Sequence, residues 1–141
     1  MAYDATLTWK EGLHFEAESG GQTVHLDGVP EAGGQGLGPS PMRLLLMSLG
    51  SCTGMDVISI LKKMRQDVTG MQIVVSGERA PEHPKIYTSL DLLFRVKGRN
   101  LQPEMVEKAV KLSEDKYCSV GAMLSKAATL TTRIEIIEEK A

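Results

Sequence analysis

Two cysteines carry whatever covalent chemistry this chain can do. Cys52 stands inside a long apolar stretch, and Cys118 lies 66 positions later, just after Lys116-Tyr117. A thiol becomes a nucleophile only as the thiolate, which a neighbouring cation or a helix N-terminus favours and apolar burial opposes. Position therefore decides between a redox pair and two inert core residues. Asp56, four positions after Cys52 and so on the same helical face, would raise that thiol's pKa. Arg43 precedes Cys52 by nine residues, about 180° round a straight helix, and is not placed to reach it. Cys118 sits where a short helix begins, a plausible place for an acceptor or resolving thiol. No Cys-x-x-Cys or His-x-x-x-His spacing links His14, His25 and His83, so no metal site is expected. Nucleophile-elbow, phosphate-loop and dinucleotide signatures are also missing, and nothing calls for a cofactor.

The element that must position Cys52 runs from Ser40 to Gln66. Ser40 is a favoured N-cap and Pro41 suits the first helical position. Leu44, Leu46, Leu49, Val57, Ile60 and Leu61, with several methionines, spread round the whole helix instead of along one stripe of about 100°. Such a helix wants protein on nearly all sides. At about 1.5 Å per residue it would form an axis through a small domain, and Gly, Ser, Thr, Asp and Lys interrupt it too often for a membrane span. Gly50 and Gly54, four apart, each cost about 1 kcal/mol of helix propensity, so either another element packs closely beside the thiol or the helix bends there.

Around this helix the pattern alternates between strands and turns. Three strands are expected between Tyr3 and Asp27, with Leu7 and Trp9, Phe15 and Ala17, and Val24 and Leu26 as apolar faces, joined at Glu11-Gly12 and Ser19-Gly20-Gly21. Pro30 to Pro39 contains four glycines and two prolines and reads as a loop, either a flexible connector or a rim near the cysteine. Asp67 to Gly70 reads as a stop, followed by a hairpin of Met71–Arg79 and Ile86–Lys97, a helix opened by Pro103, a short helix from Ser119 to about Ala127, and a last strand from Thr129 to Ile137. The 141 residues suit one domain spanning 1–141, of α+β class. A net charge of −2 with mixed signs gives no field for nucleic acid and no membrane anchor. The start of the sequence lacks a signal-like segment, so a cytoplasmic protein is expected, where a plain structural disulfide is disfavoured.

Three patches together carry a resemblance: Gly38-Pro39-Ser40-Pro41-Met42 leading to Leu49-Gly50-Ser51-Cys52-Thr53-Gly54-Met55-Asp56-Val57; Glu78-Arg79-Ala80-Pro81-Glu82-His83-Pro84-Lys85; and Lys116-Tyr117-Cys118-Ser119-Val120-Gly121-Ala122-Met123-Leu124. In order and spacing the chain resembles the OsmC/Ohr family, most closely its YhfA-like branch, over essentially its whole length. The resemblance implies an OsmC-like fold of antiparallel strands around a long central helix, in an intertwined homodimer with the sites at the subunit interface. In peroxidase members the first cysteine attacks a hydroperoxide, the second condenses with the resulting sulfenic acid, and a dithiol reduces the disulfide. Carried over, Cys52 is the attacking thiol and Cys118 the resolving one, with an organic hydroperoxide or a hydrophobic ligand as partner. The chain departs from those peroxidases in its activators. Their N-terminal arginine has no counterpart before Arg43, Lys10 is the only lysine or arginine in that stretch, and Met42 replaces their glutamate ten residues before the cysteine. This branch commonly has an acidic residue where Arg43 stands. Lys10, Arg43 and Arg79 are therefore the candidate thiolate activators, and the alternative function is a dimeric binding protein with an apolar interface pocket and little turnover.

Overall fold

The computed structural model describes residues 2–140. The chain divides into two compact units, Met1–Leu45 and Leu46–Ala141. In the first, β1 (Thr6–Glu11), β2 (His14–Ser19) and β3 (Gln22–Leu26) form an antiparallel sheet in that order. Gly20 and Gly21 both have positive φ (57° and 78°), which closes the two-residue turn between β2 and β3 with the twist the strands need. The register sets Leu7 opposite Ala17 and Val24 opposite Ala17 on the other side; Trp9, Phe15 and Leu26 form the next row. These are the faces expected from the alternation. Leu7 and Trp9 are nonetheless 55% and 62% exposed in the single chain.

The glycine-rich segment after β3 is not a featureless connector. Asp27 is buried, and its carboxylate accepts from the backbone N–H groups of Gly28 (2.8 Å), Gln35 (2.9 Å) and Leu37 (3.2 Å). Its own N–H donates to the Pro39 carbonyl at 3.2 Å. A Cβ at Gly34 would collide with the Gly28 carbonyl, and one at Gly38 with that of His25. Glycine is needed at both places for this close backbone approach. Those bonds, led by the one from Gln35, hold the Asp27 carboxyl below its ordinary pKa.

α1 (Pro41–Lys63) begins as its sequence predicts, with the Ser40 hydroxyl accepting from the Arg43 N–H at 3.4 Å. It ends where Arg65 takes φ 58°. There the Gln66 N–H bonds to the Leu61 carbonyl and the Arg65 N–H to that of Lys62, each at 3.0 Å, a Schellman closure without the usual glycine. The helix is unbroken at Gly50 and Gly54. A Cβ at Gly50 would lie 3.0 Å from Val75 Cγ2, and one at Gly54 only 2.7 Å from Ile73 Cδ1. The two glycines thus receive apolar side chains of the following strand.

That strand, β4 (Asp67–Arg79), starts four residues earlier than expected, because an irregularity between Val68 and Gly70 lets the sheet continue through the supposed stop. It pairs antiparallel with β5 (Tyr87–Arg99), the middle strand, whose Leu90, Leu92, Phe94 and Val96 are all buried. The expectation of antiparallel strands throughout is corrected at the other edge, where β6 (Thr129–Glu138) lies parallel to β5. Parallel neighbours need a long crossover. Here it is α2 (Pro103–Leu112), a π-helical turn at Ser113–Tyr117, and α3 (Ser119–Leu124). Val106, Ala109 and Val110 of α2 join Leu49, Val57 and Leu61 of α1 among the fully or nearly fully buried residues. By length and a mean hydropathy of 1.7 over 18 residues α1 alone would pass for a membrane span. Leu49, Gly50, Thr53, Gly54, Val57 and Leu61 are its buried residues.

Candidate functional site

α1 presents Cys52 half-buried, with Thr53 beside it and Asp56 one turn on. The crossover brings Cys118. The π-helical turn places the Cys118 N–H 2.8 Å from the Ser113 carbonyl, five residues back, so one inserted residue swings the next side chain toward α1. Ser113 is fully buried. Its hydroxyl donates to Asp56 Oδ2 at 2.9 Å and is 2.8 Å from the Thr53 hydroxyl. The Asp56 carboxylate only accepts, so the order of donation is Thr53 to Ser113 to Asp56. This chain of hydroxyls ties the cysteine-bearing helix to the turn that carries the second cysteine.

Both thiols are free. Cys118 is the N-cap of α3, and its Sγ accepts from the Gly121 N–H at 3.3 Å. That contact favours the thiolate, as expected of a helix N-terminus, but it does not prevail. Burial first, then the neighbouring Cys52 as hydrogen-bond partner and like charge, and then Asp56, push the Cys118 thiol up to about 11. Cys52 is thus close enough to act on the ionisation of Cys118 within one chain. A Cβ at Gly121 would be 3.2 Å from the Cys118 sulfur, so this glycine gives the thiol its room.

A cavity of about 330 Å³ opens beside Cys118, with Leu49, Leu92 and Val110 on its apolar wall and Glu114, Ser125 and Thr132 among its polar lining. Cys52 is not part of that wall.

The candidate activators lie on different elements. Lys10, on β1, lies 3.5 Å from Glu16 at the exposed surface, and Arg43 is exposed on the first turn of α1; both belong to the first unit. Arg79 ends β4, where its Nε donates to the Lys85 carbonyl at 2.8 Å and braces the hairpin turn. No cation is among the groups that shift Cys118. Sequence reasoning missed Thr53 and Ser113. Thr53 left a trace, as a polar residue three before Asp56 on an otherwise apolar helix, whereas Ser113 looks like any helix-ending serine. His14 and His25 do meet, Nε2 to Nδ1 at 2.9 Å. Among the described residues no group of three or more His, Cys, Asp or Glu is arranged to hold a metal.

Comparison with known proteins agrees with this architecture. The family model described as "OsmC-like protein" matches residues 33–133. Protein YhfA of Escherichia coli (strain K12) is 42% identical over 94% of this chain and 97% of its own length. Among solved structures, a hypothetical protein from Aquifex aeolicus VF5 superposes with a TM-score of 0.88 at 34% identity, covering 99% of both chains. An organic hydroperoxide resistance protein, OsmC, from Legionella pneumophila superposes with a TM-score of 0.69 at 13% identity, over 96% of this chain and 97% of that one. At that identity the last likeness concerns the fold alone. The α+β arrangement and the extent of these matches make the chain a member of the OsmC-like family.

Proposed function

We propose that this protein is a cysteine-based reductase of organic hydroperoxides, acting as a homodimer in the cytoplasm. The observation that carries the reading is the adjacency of a half-buried Cys52 and a buried Cys118 whose raised pKa keeps it a neutral thiol at neutral pH. Family membership points to a redox or hydroperoxide-related role, and the Legionella protein is described as conferring organic hydroperoxide resistance. In the proposed cycle the Cys52 thiolate attacks the terminal peroxide oxygen. The O–O bond breaks, the alkoxide leaves and takes a proton as the alcohol, and Cys52 becomes the sulfenic acid. Cys118 then attacks that sulfur, losing its proton as water departs and the Cys52–Cys118 disulfide forms. An external dithiol restores both thiols. The homodimer reading rests on the apolar side chains left open on a single chain, Trp9 on β1 and Met47 and Met55 on α1 being 62%, 54% and 72% exposed. In this dimer a cation from the partner, Lys10, Arg43 or Arg79, would supply the activation of Cys52.

The test is stoichiometric. Reduced protein treated with one equivalent of cumene hydroperoxide should lose two thiols. Cys52→Ser should lose none, and Cys118→Ser should carry a dimedone-trappable sulfenic acid on Cys52. Unchanged thiol counts in the native protein would end the reductase reading. The second reading, a binding protein for small apolar molecules, is favoured by the cavity beside Cys118. It predicts that ligand binding survives Cys52→Ser and that peroxide leaves the thiols untouched.

A further inference from the structure

Two adjoining sulfurs are also a ligand pair. We propose that Cys52 and Cys118 form a binding site for a soft monovalent cation, Cu(I) or Ag(I), held between two thiolates. The site goes beyond the peroxide cycle above and does not depend on it.

The ligands are in place before any ion arrives. Cys52 belongs to α1 and Cys118 caps α3, 66 positions later, so no spacing motif marks them in the sequence. The fold joins their neighbours instead. The Thr53 and Ser113 hydroxyls lie 2.8 Å apart, and Ser113 donates to Asp56 at 2.9 Å. Leu49 Cδ1, one turn before Cys52, stands 3.6 Å from where a Cβ at Gly121 would be, beside the Cys118 sulfur. The Cys52 side chain is a hydrogen-bond partner of Cys118. Sulfurs within hydrogen-bond reach are a small movement away from the span of two metal–sulfur bonds of about 2.3 Å each. Packing and hydrogen bonds behind the ligands hold them to that geometry.

Charge points the same way. Asp56 acts on Cys118 through its carboxylate, and Glu114 lines the cavity of about 330 Å³ that opens at Cys118. Carboxylates disfavour a bare pair of thiolates and favour a cation that neutralises one of the two charges. The cavity also gives an ion its way in, since Cys118 is otherwise buried.

Donor number and softness select the ion. Among the described residues no group of three or more His, Cys, Asp or Glu is arranged to hold a metal, so the chain offers two sulfurs. Zn(II) is held by four ligands in structural sites and by three with a water in catalytic ones. Thiolate is a soft donor that suits Cu(I) and its heavier analogue Ag(I), and both accept two sulfurs as a full ligand set. On binding, two metal–sulfur bonds form, each thiol that still carries a proton releases it to solvent, and no electron is transferred. A Cys52–Cys118 disulfide consumes both ligands, so only the reduced protein holds the ion.

The first measurement needs no variant. Fully reduced protein, kept anaerobic, receives one equivalent of Cu(I) per chain, is exposed to N-ethylmaleimide for a time that labels both cysteines in the ion-free protein, and is mapped by mass spectrometry. Labelling should fall at least fivefold at both Cys52 and Cys118. A smaller fall at either cysteine overturns the two-sulfur site, and equal protection by Zn(II) overturns the choice of ion. The second measurement is competition with bicinchoninate for Cu(I). The native protein should hold one Cu(I) per chain, and Cys52→Ser and Cys118→Ser should each weaken binding at least a hundredfold. Either variant binding as tightly as the native protein overturns the proposal. Asp56→Asn combined with Glu114→Gln should weaken Cu(I) at least threefold, and unchanged or tighter binding would refute the part given to the carboxylates. A protein that ignores cumene hydroperoxide yet holds Cu(I) keeps this site and loses only the reductase reading; one that reduces the hydroperoxide and leaves Cu(I) on bicinchoninate loses this site alone.

Discussion

At the scale of single residues the site is governed by competition over one proton. Cys118 has the N-terminus of α3 in its favour and burial, Cys52 and Asp56 against it, and the latter prevail. Only its thiolate can attack a sulfenic acid, and below about 11 that fraction grows roughly tenfold per pH unit. Disulfide formation after a fixed pulse of hydroperoxide is therefore expected to accelerate about tenfold per unit between pH 7 and 9, followed by quenched-flow thiol counting; a flat profile would place the slow step elsewhere. The same shift bears on stability. A folded-state value above the unfolded one favours the native state fully below about 9, and that contribution is lost as pH rises toward about 11. Ser113 is the second residue of consequence. Ser113→Ala removes a buried hydroxyl that both donates to Asp56 and meets Thr53, which should cost about 1–3 kcal/mol in urea unfolding. It should also slow disulfide formation, because the turn that aims Cys118 loses its tie to α1. Of all this the sequence showed the two thiols and the acid four residues from one of them. It could not show burial, and burial is what sets Cys118.

At the scale of elements, alternation and capping made most strands and α1 legible, because those signals are local. Ser40-Pro41 marked the helix start, and the apolar faces of β1 to β3 pair as their periodicity requires. What stayed hidden depends on partners distant in the chain. β6 reads as a strand in any pairing, and nothing in Thr129 to Glu138 says that β5 will run parallel to it. Ser113–Tyr117 keeps a helical composition while its hydrogen bonds widen by one residue. The segment after β3 has the composition of a flexible linker, yet one carboxylate gathers three of its amides. Asp27→Ala should therefore strip hydrogen-exchange protection from the Gln35 and Leu37 amides at least tenfold and leave those of β5 unchanged. In the native protein that protection should hold above the ordinary carboxyl range and fall away as pH drops through the lowered value of Asp27. The glycines of α1 give a graded test. Gly54→Ala gains about 1 kcal/mol of helix propensity against a flexible Ile73 methyl and should be close to neutral, whereas Gly54→Leu overpacks the same contact and should cost about 1–3 kcal/mol.

For the whole molecule, the open apolar surface is the feature to account for. A chain of 15.3 kDa that leaves Trp9, Met47 and Met55 to solvent is expected to sediment at twice that mass. Met55→Glu, which places a charge on a side chain 72% exposed in one chain, should shift it toward the monomer, as equilibrium ultracentrifugation would show. The all-round apolar character of α1 was legible in the sequence; how much of it a single chain leaves open was not, since burial depends on elements distant in the chain.

The two sulfurs that meet in the site stand 66 positions apart along the backbone. Joining them would tether the long helix to the crossover and enclose β4, β5 and α2 in one covalent ring. Closing a ring of that length removes enough freedom from the unfolded chain to be worth roughly 4 kcal/mol. Oxidant exposure would then be recorded as mechanical persistence: the spent form outlasts the resting one against heat, denaturant and proteolysis, and survives until a dithiol returns it to service.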